Sequence, residues 1–295
     1  MTNQRKADIA LFLVTIGWGI SFLLTKNSLD FLETYNFLAI RFLLAFFISF
    51  GIFYKKFKNL NKQTVKYGIG LGVLLFLHYA LQTVGLNYTS VSKSAFITGL
   101  NVIMVPVFSA LIIKKVPERK VIFSTIIAFI GLGLLTLNGN IDGVNIGDIY
   151  TLLCAFVFAM YIILVGKYTV KVESISFATI QLGVVGVLSL ITSFMIETPV
   201  IPTEPPAWGN IVFLSLVCTS GAYIVQNVAQ RYTTPSHTAL IYTGEPVFAA
   251  FFGYIFLDEL LSFRGTLGAL MILSGMLIVE VNFKKLLKSK KSKAS

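Results

Sequence analysis

Charged residues and cysteines are both scarce in this chain. Only 13% of its 295 residues are charged, whereas 56% are hydrophobic, and this composition lies far outside that of soluble globular domains. Cysteine occurs twice, as Cys154 and Cys218, and both residues lie in apolar stretches. We therefore expect no disulfide framework and interpret both cysteines as small apolar packing residues.

The motifs of many enzymes and ATP-driven proteins are also missing. The sequence has no GxxxxGK[ST] phosphate loop, no HExxH and no GxSxG, which argues against direct drive by ATP and against the common hydrolase mechanisms. The two histidines fall in different apolar stretches, and we interpret His78 as a hydrogen-bonding residue rather than a metal ligand. The sequence predicts no catalytic residue, no cofactor and no metal site.

Long apolar stretches fill most of the chain. A helix that crosses a bilayer needs about 20 apolar residues, and we find ten such windows, near 8–25, 35–54, 68–87, 94–113, 121–138, 148–166, 175–196, 209–229, 237–257 and 265–283. Most connections between them are short. The sequence therefore predicts an all-α, multi-pass integral membrane protein with ten transmembrane helices, and we expect it in the cell (plasma) membrane.

The net charge of +11 is distributed by side of the membrane rather than as a nucleic-acid-binding surface. Numbering the loops from a cytoplasmic N-terminus places twenty of the 24 basic residues inside, and only Lys26, Lys93 and Arg264 outside. This asymmetry follows the positive-inside rule and predicts that both termini are cytoplasmic. We expect the basic tail, residues 284–295, to meet anionic membrane lipids, and we expect no nucleic-acid partner.

The chain carries an internal repeat. The segment Tyr79–Thr89, YALQTVGLNYT, returns 144 positions later as Tyr223–Thr233, YIVQNVAQRYT, and Asp8 aligns with Asp148 at an offset of 140. The pattern predicts two five-helix repeats, residues 1–140 and 141–283, joined by the turn Asn138–Gly147. Because five is odd, the second repeat must enter the membrane with inverted topology, which is typical of alternating-access transporters.

Three segments resemble a known family. Tyr232–Leu260 and Tyr88–Ile112 are similar to the second-half and first-half signatures of the EamA-type family of the drug/metabolite transporter superfamily, and WGISF at Trp18–Phe22 resembles its opening helix. The resemblance implies a ten-helix secondary carrier, and many such carriers export amino acids and other small metabolites. One departure is the acidic position that ends the fourth helix, Glu118, which lies among basic residues, so the resemblance does not support a symmetric role for Glu118 and Glu259.

Glu245 is the strongest candidate for a functional residue. It lies about nine residues, or roughly 13 Å, from either end of its predicted helix, too deep for its side chain to reach the interface. Inserting an acidic residue into the membrane at this depth costs about 2.5–3.5 kcal/mol, so we interpret such a residue as functional by default. An apolar environment favours the neutral form of its carboxyl group, so protons are a candidate coupling ion. The alternative is a protonated, hydrogen-bonded residue that only holds helices together.

Arg41 is the one basic residue within a predicted span, about 9 Å from its outer end. It could turn toward the interface, bind a substrate carboxylate, or pair with Glu245. Its counterpart in the second repeat is Gln181, which keeps hydrogen bonding without the charge.

Further polar and aromatic residues complete the candidate substrate site. Polar side chains form a stripe on the eighth predicted helix, and a second group of polar side chains lies at the same depth on the third. Both groups fit a water-filled pathway, which we favour, or a dry hydrogen-bonded seam between helices. Trp18, near the midplane, could stack on an apolar substrate or only pack. The remaining candidates are His78, Tyr79, Gln82, Asn101, Tyr223, Gln226, Asn227 and Tyr242.

The sequence thus predicts a secondary active transporter that moves small metabolites, foremost amino acids or related zwitterions, by alternating access. Export is the direction that the resemblance favours. The alternatives are a membrane-embedded enzyme, a passive channel, or a carrier that imports nucleoside-, vitamin- or drug-like solutes.

Overall fold

The computed structural model describes residues 2–58, 60–89, 91–112, 114, 116–136, 144–257 and 262–280. Every regular element in this part of the chain is helical. The first part of the predicted turn Asn138–Gly147, the acidic residue Glu259 and the basic tail 284–295 lie outside the described residues.

Thirteen α-helices follow one another along the described chain. They are α1 (Asn3–Ser28), α2 (Thr34–Phe53), α3 (Lys62–Tyr88), α4 (Val91–Gly99), α5 (Asn101–Ile112), α6 (Arg119–Thr136), α7 (Ile146–Tyr168), α8 (Ser174–Ile196), α9 (Pro205–Phe213), α10 (Ala222–Ala229), α11 (Pro235–Tyr242), α12 (Gly244–Leu257) and α13 (Phe263–Glu280). A π-helical segment, Leu214–Gly221, joins α9 to α10.

The helices of the described chain form ten apolar segments. Nine are long and apolar enough to cross a bilayer by length and composition, and a tenth, Phe263–Val279, is apolar but shorter. The expectation of an all-α membrane protein is therefore confirmed within the described part of the chain. Three of the spans are composite, because α4 is followed by α5, α9 by the π segment and α10, and α11 by α12.

Several helices begin earlier than the apolar windows predict. Helix α3 starts at Lys62 rather than near residue 68, because the side chain of Asn61 caps it by accepting a hydrogen bond of 2.7 Å from the backbone N–H of Thr64. Helix α7 starts with a capping box formed by Asn145 and Asp148. Side-chain caps stabilise polar first turns outside the apolar core, and a window that measures only hydrophobicity misses such turns.

Small residues set the closest helix contacts. A methyl group on Gly131 of α6 would lie 2.6 Å from the carbonyl oxygen of Gly268 on α13. A methyl group on Gly72 of α3 would lie 2.6 Å from the Cβ atom of Val184 on α8. Helices in membranes associate through such close backbone approach, because lipid provides no hydrophobic drive between them. The main core lies where α1, α2, α3, α7, α8 and α10 meet.

Two spans are interrupted at matching positions in the middle of the protein. The break between α4 and α5 falls at Leu100, and the break between α11 and α12 falls at Thr243, just before Glu245 and Pro246. Proline lacks a backbone donor, so Pro246 cannot complete the helical hydrogen bond to the carbonyl of Tyr242. Interrupted helices at membrane depth are tolerated where they are buried in protein or line a cavity.

Candidate functional site

A cavity lies at the centre of the bundle and is lined by helices from both halves of the chain. Its volume is about 20 Å³, roughly enough for one or two ordered waters at about 10–15 Å³ each. Seven of the predicted site residues line it, together with seven further side chains. The lining residues are Trp18, Ser21, Phe22, Thr25, Arg41, His78, Tyr79, Gln82, Thr83, Leu86, Thr98, Phe158, Tyr223 and Glu245.

Arg41 is the most deeply placed cation of this cavity. It extends from α2 with 1% of its surface exposed, so the side chain does not turn toward the outer interface. Its Nε atom donates to Oγ1 of Thr219 at 2.8 Å, and Nη1 donates to Oγ1 of Thr25 at 3.4 Å. Its Nη2 atom is buried and has no hydrogen-bond partner. A guanidinium group with a free N–H in a cavity can still bind an anion.

Aromatic rings, rather than an acid, surround the Arg41 charge. The Cζ atom lies 5.2 Å from the ring centre of Tyr79 and 5.6 Å from that of Phe42, distances at which a cation is attracted to a ring face. Both Arg41 and Glu245 are described, and the ion pairs found among described residues do not include one between them. The predicted direct pair with Glu245 is therefore not formed in this conformation.

Glu245 lies at the start of α12, directly after the break in its span. It lines the central cavity and also a smaller cavity beside it, formed by Thr98, Gly99, Asn101, Tyr242 and neighbouring residues. Within the described part of the chain its carboxyl group makes no hydrogen bond or ion pair. The hydrogen-bonded arrangement that would hold helices together is therefore not observed, and the carboxyl group is free to meet a ligand.

Two tyrosines at equivalent repeat positions meet across the centre. The hydroxyl of Tyr223 donates to the hydroxyl of Tyr79 at 2.9 Å, and the two residues are 144 positions apart. This is the offset of the internal repeat. Gln82 lines the cavity, but its repeat counterpart Gln226 does not, so the two halves contribute unequally to the cavity wall.

An aromatic layer forms one side of the cavity. The indole N–H of Trp18 donates to the backbone carbonyl of Cys218 at 2.8 Å, and its ring centre lies 4.8 Å from that of Tyr242. His78 stacks on Phe158 at 4.3 Å and contacts the sulfur of Cys154 at 3.1 Å. Trp18 therefore packs in the core and lines the cavity at the same time. The hydroxyl of Tyr242 is buried without a partner.

Three predicted site residues lie outside both cavities, in a hydrogen-bonded seam. Gln181 accepts a hydrogen bond from the hydroxyl of Tyr161 at 2.6 Å and donates to Oδ1 of Asn227 at 3.1 Å. Asn227 donates in turn to the carbonyl of Tyr223, and Gln226 donates to Gln230. All are fully buried. Protein partners use the amides of Gln181 and Asn227, as in a dry seam, whereas Oε1 of Gln226 is buried without a partner.

Several contributors were missed by reasoning from the sequence. Thr25 and Thr219 hold the Arg41 guanidinium, while Thr98 and Phe158 line the cavity. The hydroxyl of a lone threonine in an apolar helix commonly donates a hydrogen bond to the backbone carbonyl four residues before it. The presence of a threonine in the sequence therefore does not indicate a functional site. Thr219 lies in the π-helical segment Leu214–Gly221, and π segments are frequent at functional sites.

The arrangement presents a buried cation, a buried acid and aromatic surface within one small space. No group of three or more His, Cys, Asp or Glu side chains comes together among the residues the structure describes. The predicted site residues Tyr242 and Asn101 adjoin this space through the smaller cavity.

Comparisons with known proteins agree with this architecture. A model of the EamA-like transporter family matches residues 5–137 and 145–281. An uncharacterized transporter of Archaeoglobus fulgidus is 32% identical over 283 residues, covering 93% of this chain and 86% of that protein. The S-adenosylmethionine/S-adenosylhomocysteine transporter of Chlamydia muridarum is 26% identical and covers 87% of each chain.

A solved crystal structure matches with a TM-score of 0.80 over 96% of this chain and 99% of that chain, and at 15% identity this likeness shows the fold alone. The uncharacterized transporter YyaM of Bacillus subtilis is 28% identical over 91% of this chain and 92% of that protein. Because the family model matches both halves of the chain, and the Archaeoglobus relative exceeds 30% identity over most of it, the chain belongs to the EamA-like transporter family.

Proposed function

We propose that the protein is a secondary active carrier of small zwitterionic metabolites, foremost amino acids or molecules that contain an amino-acid group. The observation that carries this proposal is the unpartnered Nη2 atom of Arg41, which is buried at the central cavity. An unpaired charge in a membrane protein is costly, and a substrate carboxylate would satisfy it with two parallel hydrogen bonds.

Glu245 supplies the complementary half of the proposed site. It lines the same cavity without a partner, and an ammonium group of the substrate would compensate its negative charge. When the ammonium leaves, a proton would take its place on the carboxyl group. One acid that exchanges a proton for a cationic group would couple the two fluxes, so protons are the proposed coupling ion.

The proposed substrate head group also fits the named relative. S-adenosylmethionine and S-adenosylhomocysteine each carry the carboxylate and ammonium groups of an amino acid. The Chlamydia muridarum protein is named for those two compounds. In this chain, the ring layer of Trp18, Tyr242 and Phe158 would contact the apolar or aromatic remainder of a substrate.

The proposed transport cycle is alternating access by two inverted five-helix repeats, residues 1–140 and 141–283. It is supported by the two separate matches of the family model and by the contact between Tyr79 and Tyr223 at the repeat offset. We further propose cytoplasmic termini, a plasma-membrane location and export as the direction, on the distribution of basic residues and the family resemblance.

The test is a thermal-unfolding screen on detergent-purified protein with matched sets of compounds. Each set contains an L-amino acid, its methyl ester, which lacks the carboxylate, and its deaminated acid, which lacks the ammonium group. A ligand at 100 times its Kd adds about 2.7 kcal/mol of stability. We expect an intact amino acid to stabilise the protein and both analogues of its set to fail. Equal stabilisation by an analogue would refute recognition of both charges.

Counterflow in proteoliposomes then separates the carrier from the other function classes. A carrier speeds the entry of labelled amino acid when unlabelled amino acid is trapped inside. A channel shows no such stimulation, and an enzyme would convert the compound chemically.

A further inference from the structure

The smaller cavity beside Glu245 lies where the two interrupted spans meet. Its volume is about 10 Å³, which is close to the space that one ordered water needs, about 10–15 Å³. Two of its polar residues end the first helix of a broken span, and two begin the second helix. These four residues are Thr98 of α4, Asn101 of α5, Tyr242 of α11 and Glu245 of α12.

The four residues form two pairs of equivalent positions. Thr98 and Tyr242 are 144 positions apart, and so are Asn101 and Glu245. This is the offset that relates Tyr79 to Tyr223. The two halves of the chain therefore contribute the same helix positions to one cavity, but only the second half contributes a charged side chain to it.

Two of these residues place an unused hydroxyl group at the cavity. Oγ1 of Thr98 and the hydroxyl oxygen of Tyr242 are buried and have no hydrogen-bond partner. The Thr98 hydroxyl lies near the sulfur of Cys154, which is a weak acceptor. A buried hydroxyl without a partner costs free energy, so a ligand that donates hydrogen bonds to both oxygens would gain that energy back.

The carboxyl group of Glu245 is a third acceptor at the same place. Glu245 and Thr98 line the central cavity as well as the smaller one, so the two cavities adjoin at these side chains. Arg41 lines the central cavity. A zwitterion whose carboxylate binds Arg41 would therefore have its other end close to the junction.

The remaining polar side chains beside the breaks are already used. The amide of Asn101 donates to the backbone carbonyl of Thr98 at 2.8 Å, and the hydroxyl of Thr243 donates to the carbonyl of Leu240. Both bonds join groups on either side of, or next to, a break. They therefore hold the backbone in place around the three unused acceptors.

An unused hydroxyl alone does not mark a site. The hydroxyl of Thr125 on α6 is also buried without a partner, yet Thr125 is not among the residues that line either cavity. Thr98 and Tyr242 differ from it because they share one small cavity with an unpartnered acid. It is the combination that indicates a ligand.

We propose that the smaller cavity and its junction with the central cavity form a subsite for a primary ammonium group, and that Glu245, Thr98 and Tyr242 each accept one of its three N–H bonds. A primary ammonium group carries three donors and no acceptor, so the numbers of donors and acceptors match. The group is about as large as a water molecule, which is the size that this cavity admits.

The subsite makes the carrier selective for primary amines over N-methylated amines. Each methyl group on the nitrogen removes one donor and leaves one acceptor unpaired in a buried place. A site built to bind a substrate N–H rejects analogues that lack it. Thr98 and Tyr242 are thus the residues that determine this specificity. The inference rests on the proposed function and deepens it, because that proposal concerns charge and this one concerns the number of N–H groups.

The test compares affinities along a methylation series. L-alanine, L-methionine and L-phenylalanine are each compared with their N-methyl and N,N-dimethyl derivatives, and Kd is obtained from the concentration dependence of thermal stability in detergent. All members of a series keep the carboxylate and the positive charge. A lost hydrogen bond to a charged group corresponds to at least about tenfold in Kd, so we expect a loss of at least about tenfold for each methyl group.

Two variants remove one acceptor each with little change of shape. Thr98→Val and Tyr242→Phe should each weaken binding of the primary amine about tenfold. The N-methyl derivative can turn its methyl group toward the place of the removed hydroxyl, so its Kd should change much less and the selectivity should fall. A purely structural role would weaken all members of a series alike. Thr125→Val is the matched control and should leave the selectivity unchanged.

Simple cations test the subsite without any carboxylate. At equal concentration, methylammonium chloride should stabilise the protein more than tetramethylammonium chloride or sodium chloride does, and Glu245→Gln should abolish the difference. Equal stabilisation by sodium chloride would assign the smaller cavity to inorganic cations and overturn the inference.

The outcomes separate this inference from the proposed function. If methylated amino acids bind as tightly as their parents, the subsite is wrong, whereas recognition of both charges remains supported. If no parent amino acid binds, the cation comparison decides. A preference for methylammonium would then support the subsite and refute the substrate class, and equal effects of the two ammonium salts would overturn both. If Thr98→Val unfolds, Tyr242→Phe gives the decisive selectivity.

Discussion

The substitution Arg41→Lys keeps a positive charge in the central cavity but removes the planar group that can hold a carboxylate in two places. Arg41 is held by Thr219 and more weakly by Thr25, and its Nη2 atom remains available. A lysine side chain is shorter than an arginine side chain and ends in a compact ammonium group. This group cannot keep the contact with Thr219 while binding both oxygens of a carboxylate. The variant should therefore lose at least one charge-assisted hydrogen bond to the ligand.

The expected magnitude follows from that loss. A hydrogen bond to a charged group contributes about 1.5–3 kcal/mol, so a loss of about 2 kcal/mol weakens binding about 30-fold. An amino acid that stabilises the native protein by about 2.7 kcal/mol at 100 times its Kd should then stabilise Arg41→Lys by only about 0.9 kcal/mol at the same concentration.

The assay is thermal unfolding with and without the best amino acid of the screen, compared between variants. Thr219→Val is the matched control, because it removes the acceptor of Nε but leaves the guanidinium group, so most of the ligand-induced stabilisation should remain. If Arg41→Lys keeps the whole stabilisation, Arg41 does not bind the carboxylate, and the proposed site is wrong.

Three further outcomes are expected. Glu245→Gln preserves shape but cannot titrate, so the variant should insert normally and lose concentrative transport in proteoliposomes, and full concentrative transport would contradict the coupling role. In intact cells, an impermeant maleimide should label Thr203→Cys but not Lys62→Cys, and the reverse pattern would invert the proposed orientation. Tyr79→Phe and Tyr223→Phe should show a coupling energy of about 0.5–1.5 kcal/mol for their shared hydrogen bond, measured by a double-mutant cycle of unfolding, and additive effects would show that the bond contributes nothing.

Part of the architecture could be read from local sequence because the bilayer imposes local rules. Every backbone polar group in hydrocarbon must be paired within its own segment, so an apolar run of sufficient length is almost necessarily a helix. The apolar windows are found as helical segments for this reason. The break at Leu100 and the π segment were not predicted, because the apolar windows run across them without interruption.

The candidate site was predictable only in part. Arg41 and Glu245 stand out in sequence because a charge at membrane depth is rare and costly, and both do line the cavity. Gln181 and Asn227 look equally suitable by residue type, yet the structure places them in a hydrogen-bonded seam. An amide side chain is equally suitable in a cavity wall and in a contact between two helices. The residues that pack against it decide which of the two it forms.

By itself, the sequence determined the class of the protein, its membrane-spanning segments, the repeat offsets and the rare buried charges, because each of these depends on residues close together in the chain or on direct comparison of two segments. Only the tertiary structure decided which residues meet. It brought Asp8 to Thr233 and Asp148 to Thr89 from opposite halves, and it left Nη2 of Arg41 without a partner. Contacts between distant segments depend on how whole helices pack, and no local pattern encodes that packing.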